Sequence, residues 1–184
     1  MQLFLAASTV LLLAAMPAYG QLADRSQPIN IDADRVAVDD RNKVHVFEGN
    51  VVLTQGTLTL KGDKIVITQN TAGFYNGVAT AQSGKLVTFR QKRVNDGTWI
   101  DGEAERIEYN NQIERAKLFN QGRIRNAGNM VRGQYIEYDI ATESYFATDS
   151  PERSGAGKQS PEVRVTVTLQ PKSNKTGPTD AKPR

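Results

Sequence analysis

FEGNVVLTQGTLTLKGDKIVI, running from Phe47 to Ile67, decides the fold class. It holds three β-branched runs, Val51 to Thr54, Thr57 to Leu60 and Ile65 to Ile67. Gln55-Gly56 and the corner Lys61-Gly62-Asp63-Lys64 separate them. Apolar residues at every second position between glycine-bearing corners describe short strands with one buried face. In the middle run Leu58 and Leu60 share one face and Thr57 and Thr59 the other, because successive strand side chains point to opposite sides.

The same rung returns further along. Ala33-Asp34-Arg35-Val36 matches Ala104-Glu105-Arg106-Ile107, Leu53 matches Ile124, Lys61-Gly62 matches Arg132-Gly133, and Ile65 and Ile67 match Ile136 and Tyr138. The offset is constant: 104−33, 124−53, 133−62 and 136−65 all give 71. A fixed period marks stacked supersecondary units. A shorter motif, ending in an aliphatic, opens rungs at Val36, Ile65, Leu86 or equally Val87, and Ile107.

Outside this body the chain changes character. Leu3 to Ala15 is an almost unbroken apolar run, and Ala18-Tyr19-Gly20 supplies small residues for cleavage, so residues 1–20 read as a secretory leader. Residues 21–170 read as one β domain, with a Gly, Ser and Pro-rich loop at Ser150 to Pro161 and a last strand at Val163 to Leu169. Residues 171–184 have no aliphatic larger than Ala181 and read as a disordered basic tail. The formal charge of +3 sits there: Lys172, Lys175, Lys182 and Arg184 against Asp180 give 4−1, leaving residues 1–171 neutral. A basic tail on a neutral body is no nucleic-acid footprint, and none is expected as partner.

The 184 residues contain no cysteine, which excludes disulfides, thiolate metal sites and a cysteine nucleophile. His45 is the only histidine, so no histidine cluster holds a metal. Alternation places it opposite Val44 and Val46 as a solvated strand residue. Asp32, Asp34, Asp63, Glu103 and Glu105 sit at rung corners and Asp39-Asp40 in a turn, where side-chain to backbone bonding explains each. Neither a catalytic residue, a cofactor nor a metal is expected. Two basic groups, Arg115, Lys117, Arg123, Arg125 and Arg132, and Lys85, Arg90, Lys92 and Arg93, read either as phosphate contacts or as a solvated outer face.

Gln27-Pro28-Ile29-Asn30-Ile31, the rung Gly49-Asn50-Val51-Val52-Leu53-Thr54-Gln55-Gly56-Thr57-Leu58, the Gly62-Asp63-Lys64-Ile65 corner and its echo Arg132-Gly133-Gln134-Tyr135-Ile136 resemble the LptA/OstA-like family of periplasmic lipopolysaccharide-transport bridge proteins. The resemblance spans Gln27 to Leu169 and is weakest from Asn70 to Gly97. It implies an all-β, folded-over jelly roll, a solenoid-like stack of short antiparallel strands with open ends. It also implies an apolar interior that shelters lipopolysaccharide acyl chains. Strand parity puts Ile29, Ile31, Val36, Val38, Leu58, Leu60, Ile65, Ile67, Phe89, Ile107, Tyr109, Ile124, Ile136 and Tyr138 on the inner faces. The implied partners are an inner-membrane-anchored chain of the same fold at the N-terminal edge (Ile29, Asn30, Ile31) and an outer-membrane translocon at the C-terminal edge (Val163, Val165, Val167, Leu169). Head-to-tail self-association uses the same two edges. A periplasmic adaptor with a filled core, and a solenoid enzyme acting on polysaccharide, are the alternatives.

Overall fold

The computed structural model describes residues 24, 26–93, 96–149 and 164–170; the leader, the 150–161 loop, Val163 and the tail lie outside them. Antiparallel pairing organises the described chain into one twelve-stranded sheet. β1 spans Asn30–Asp32, β2 Arg35–Asp39, β3 Val44–Gln55 and β4 Leu58–Gln69. They are followed by β5 (Tyr75–Thr80), β6 (Val87–Lys92), β7 (Trp99–Ala104), β8 (Arg106–Asn110), β9 (Arg115–Asn126), β10 (Asn129–Asp139), β11 (Ser144–Thr148) and β12 (Thr166–Thr168). The Lys61 to Lys64 corner is therefore not a connection between strands: β4 runs straight through it. Residues 70–74 connect β4 to β5, which Tyr75 opens.

Four strands, β3, β4, β9 and β10, are long enough to bend in the middle, and each carries a glycine there: Gly49, Gly62, Gly122 and Gly133. In β3 the bend is a left-handed pair, Gly49 at φ +83° and Asn50 at +47°, and the β3–β4 register slips between Glu48 and Val51. In β9 the pair is Asn120 at +60° and Gln121 at +54°. Extra left-handed residues of this kind kink a strand and redirect its ladder. A carboxylate holds each one. Asp34 accepts from Asn50 Nδ2 at 3.1 Å, while its own N–H donates to the Gly49 carbonyl at 3.0 Å. Glu105 accepts from Asn120 Nδ2 at 3.0 Å and Gln121 Nε2 at 2.7 Å, and its N–H donates to the Asn120 carbonyl at 3.1 Å. The two assemblies stand at the repeat offset, since 105−34, 120−49 and 121−50 all give 71.

The bends form one crease, and the sheet folds over along it into two leaves. β1, residues 51–55 and 58–62, β6, β7, residues 122–126 and 129–133, and β12 build the first leaf. β2, residues 44–48 and 64–69, β5, β8, residues 115–119 and 135–139, and β11 build the second. Directly paired residues share a face, so each leaf carries inner rows. Nearest the crease of the second leaf runs Val36, Phe47, Ile65, Ala79, Ile107, Leu118, Ile136 and Ala147. In the first leaf Ile31, Leu53, Leu60, Phe89, Gly102, Ile124, Val131 and Val167 form the matching row. Val51, Ile65, Val87, Leu118, Ile124 and Ile136 are the large side chains buried completely, and Val87, not Leu86, is the rung residue inside. Packing at the crease is tight: a Cβ added at Gly122 would stand 3.1 Å from the Gly133 carbonyl oxygen and 3.3 Å from Ile136.

The final strand does not stand apart from the body. Thr166 to Thr168 pair with Arg132 to Met130, so β12 closes that part of the β10 edge.

One glycine reports directly on how the leaves pack. A Cβ on Gly102 would lie 2.0 Å from Cε1 of Phe89, whereas one on Gly77 meets nothing within 4 Å. Overpacking costs about 1–3 kcal/mol, so Gly102→Ala is expected to lower the melting temperature by roughly 2–10 °C, while Gly77→Ala stays within about 0.5 kcal/mol of the parent. Thermal unfolding of both variants checks the contrast, and equal losses would contradict the packing.

Candidate functional site: an apolar trough between the leaves

Between the leaves lies about 210 Å³ of open space. The first leaf contributes Leu53, Leu58, Leu60 and Phe89; the second contributes Ile65, Ile67, Ile107, Tyr109, Ala116, Tyr138 and Ile140. Alternation explains why one stretch of sequence supplies both walls. Leu58 and Leu60 lie before the β4 bend and Ile65 and Ile67 after it, so a single folded-over strand lines two facing surfaces.

A polar rim borders this lining, with Asp24, Gln55, Gln91 and Asn111 at the margin. Asp24 accepts from Thr57 N–H at 2.8 Å, Thr57 Oγ1 at 2.6 Å and Gln91 Nε2 at 3.2 Å, which ties the incoming chain to two hairpin ends. Across the opposite part of the rim, Arg93 at the end of β6 meets Glu143 in the β10–β11 turn, joining the leaves by an ion pair. Their side chains are only 18% and 4% exposed. Burial, with the Glu143 carboxylate adding to it, pushes the Tyr138 phenol up to about 12, so this wall residue stays neutral. The lining therefore presents hydrocarbon and uncharged hydroxyls, with charge confined to the margin. Such a lining is chemically matched to an apolar ligand.

Of the residues expected inside, Ile29, Leu58, Leu60, Ile65, Ile67, Phe89, Ile107, Tyr109 and Tyr138 line the trough. Ile124 and Ile136 do not: they are 2% and 0% exposed and belong to the solid packing along the crease. Ile31 packs against that core from the first rung. Val36 and Val38 face inward by register but are 61% and 55% exposed, because β2 is a terminal rung with no neighbour beyond it to cover them. His45 is also placed differently from expectation. It pairs with Val38 on one side and Ile67 on the other, so it belongs to an inner row and is half buried, not solvated on the outside. Leu53, Tyr75, Ala116 and Ile140 were missed as wall residues. Leu53 had the right parity, and its pairing with Leu60 is what places it.

Asp34, Asp39, Asp63 and Glu105 have structural partners in the bends and turns. Asp63 accepts from Gln82 N–H at 2.7 Å and from Lys85 at 3.4 Å, and these bonds, the Gln82 amide first, hold its carboxyl below the ordinary 3.8. Among the described residues no group of three or more His, Asp or Glu is placed to hold a metal ion. At the two ends of the stack, β1 and β2 pair only with β3, and β11 and β12 only with β10, among the described strands. Each end therefore leaves backbone groups along one strand edge for another chain. Ile29 is 39% exposed at the first end, and Val165, Val167 and Leu169 are 37%, 54% and 70% exposed at the last.

Residues 30–144 match the family described as LptA/(LptD N-terminal domain) LPS transport protein. The chain belongs to this family. It is 32% identical to the lipopolysaccharide export system protein LptA of Haemophilus influenzae, over 92% of this chain and 90% of that one. To LptA of Escherichia coli K12 it is 31% identical, over 95% and 91% respectively. The crystal structure of LptH, the LptA-homologous periplasmic component of the lipopolysaccharide transport device of Pseudomonas aeruginosa, superposes with a TM-score of 0.70. That match has 29% identity and covers 81% of this chain and 99% of that one. The folded-over jelly roll expected of LptA relatives is thus the architecture found here. No described helix is long and apolar enough to cross a membrane.

Among the ion pairs of the described residues, Arg93–Glu143 is the one whose partners are farthest withdrawn from water, and it joins the two leaves. Removing one partner of a buried pair strands the other. Arg93→Met and Glu143→Gln are each expected to cost about 3 kcal/mol, read as a fall in the urea midpoint. Losses below about 0.5 kcal/mol would mark it as an ordinary surface pair.

Proposed function

We propose that this protein is a periplasmic carrier that holds the acyl chains of lipopolysaccharide in the trough and links inner- and outer-membrane transport components through its two end rungs. The observation that carries the reading is the open space walled by apolar side chains from both leaves. The relatives named above, whose printed names place them in lipopolysaccharide export, supply the ligand class.

Physical chemistry explains why such a ligand needs a trough. Burial is worth about 0.8 kcal/mol per CH₂, so exposing one chain of roughly a dozen carbons to water costs on the order of 10 kcal/mol. A wall built from repeated rungs removes that cost at every step and creates no single deep trap, so the lipid can be handed along. Directed movement draws its energy from an ATPase elsewhere in the transport system. Solid packing along the crease is what a filled-core adaptor would also have, but that alternative gives no purpose to the apolar open space beside it.

Continuity comes from the ends. Val36 and Val38 at the first end and Tyr145 and Val167 at the last carry inner rows out to solvent. Strand addition end to end, by a second copy or by a membrane partner of the same fold, would cover these side chains and extend the trough.

Site-specific photo-crosslinking in cells tests both parts. Benzoylphenylalanine at Phe89 or Tyr109 is expected to capture lipopolysaccharide, and at the outward neighbours Thr68 and Glu108 to capture none. At Val38 or Tyr145 it should capture a second copy or another chain of this fold. Lipid adducts that do not follow the inward and outward alternation would sink the carrier reading; absent protein adducts at the end rungs would sink the bridging.

A further inference from the structure

Arg90 from one of the basic groups singled out in the sequence and Arg123 and Arg125 from the other converge, with Lys61, on the outer face of the first leaf, on the side away from the trough. Register lays them out as two adjacent rows. Thr59, Arg90, Asp101 and Arg125 form one, and Lys61, Thr88, Glu103 and Arg123 the other. Together they line a depression of about 520 Å³ whose floor is Gly102 and Phe89.

From these residues we infer that the depression is a binding site for an acidic saccharide, one or two sugar rings bearing phosphate or carboxylate groups. Charge is the first reason. Lys61, Arg90, Arg123 and Arg125 outnumber Asp101 and Glu103 by four to two, in a body whose residues 1–171 sum to zero. Arg123 pairs with Glu103, and Arg90 with Asp101 at 3.6 Å. Lys61 and Arg125 have no ion-pair partner among the described residues. The Arg123 Nε is buried without an acceptor, so Glu103 does not satisfy that guanidinium.

The mixed donor set is the second reason. A bare phosphate uses only donors, and two carboxylates in the floor of its site would repel it. Sugar hydroxyls both donate and accept, so Asp101 and Glu103 take hydroxyl hydrogens while the arginines, Lys61 and the threonine hydroxyls grip the anionic groups. The space exceeds what a lone phosphate fills. Trp99, two residues from Asp101 on the same outer face, is 41% exposed and holds the Arg90 guanidinium 4.6 Å from its ring centroid, adding a flat apolar surface beside the depression. The site is separate from the trough, on the other side of the leaf, and its occupancy does not depend on acyl chains.

Titration calorimetry on the full chain tests it with a glucosamine disaccharide carrying a phosphate on each ring and no acyl chain. Its unphosphorylated counterpart and inorganic phosphate serve as comparisons. The phosphorylated disaccharide is expected to bind saturably, at least tenfold more tightly than either comparison, and Lys61→Glu with Arg125→Glu should weaken it a further tenfold or more. Lys61→Arg should retain binding. Both substituted positions are exposed, and unchanged thermal unfolding of the double variant excludes a folding effect. A fluorescent fatty acid, which reports the trough, should bind the double variant as it binds the parent. Failure of the disaccharide to saturate at millimolar concentration, binding no tighter than phosphate, or loss on Tyr109→Glu in place of the charge reversals would overturn the inference and leave the trough reading untouched.

Discussion

Everything in this molecule follows from the need to bend four long strands at one line. A strand of twelve residues such as β3 alternates its side chains between two faces along its whole length, and in a flat sheet its apolar face would lie open to water. Folding the strand over at a left-handed pair turns that face on itself. The first half covers the second, and one chain segment provides both walls of its own interior. Asp34 and Glu105 make the bend affordable by satisfying the backbone and amide groups it frees. These carboxylates are the hinge fittings of the fold.

The interior is graded along the stack. Leu118, Ile124 and Ile136 of β9 and β10 interlock and exclude water, which supplies hydrophobic stabilisation to a chain without disulfides. In the same two rows, Leu60 and Phe89 of the first leaf and Ile65 and Ile107 of the second face open space. Stability and cargo room thus occupy different stretches of shared rows. The Arg93–Glu143 pair joins the margins of the two leaves, and the Asp24 contacts tie the incoming chain to the first.

Period-two alternation and the repeat at 71 residues were plain in the sequence, and they fix the all-β stack and most of the wall. The 71-residue match of Asp34 with Glu105 was visible too, but the bends it supports were not. The first is Gly-Asn and the second Asn-Gln, and nothing in a single sequence says that a non-glycine pair occupies the left-handed region. Parity names the face of a residue but not whether space opens in front of it, so Ile124, in the row of Leu60 and Phe89, and Ile136, in the row of Ile65 and Ile107, read as wall when they are core. It also cannot reveal which rung is last, and Val36 and Val38 are exposed for that reason alone. His45 hid because its apolar neighbours Val44 and Val46 read as the inward pair, whereas register puts His45 in line with Val38 and Ile67 and turns the two valines outward. Convergence of the basic groups was equally out of reach, since it depends on β4, β6, β7 and β9 lying side by side.

The most direct measurement is the pattern of intermolecular nuclear Overhauser effects between a lipid A acyl chain and protein methyl groups labelled one residue type at a time. Methyls of Leu58, Leu60, Ile67 and Ile140 should all show contacts with chain methylenes, those of Leu118 and Ile136 along the crease should show none, and outward Val66 and Val78 should be silent. Contacts spread evenly over inner and outer methyls, or confined to Val66 and Val78, would contradict a lipid carried between the leaves.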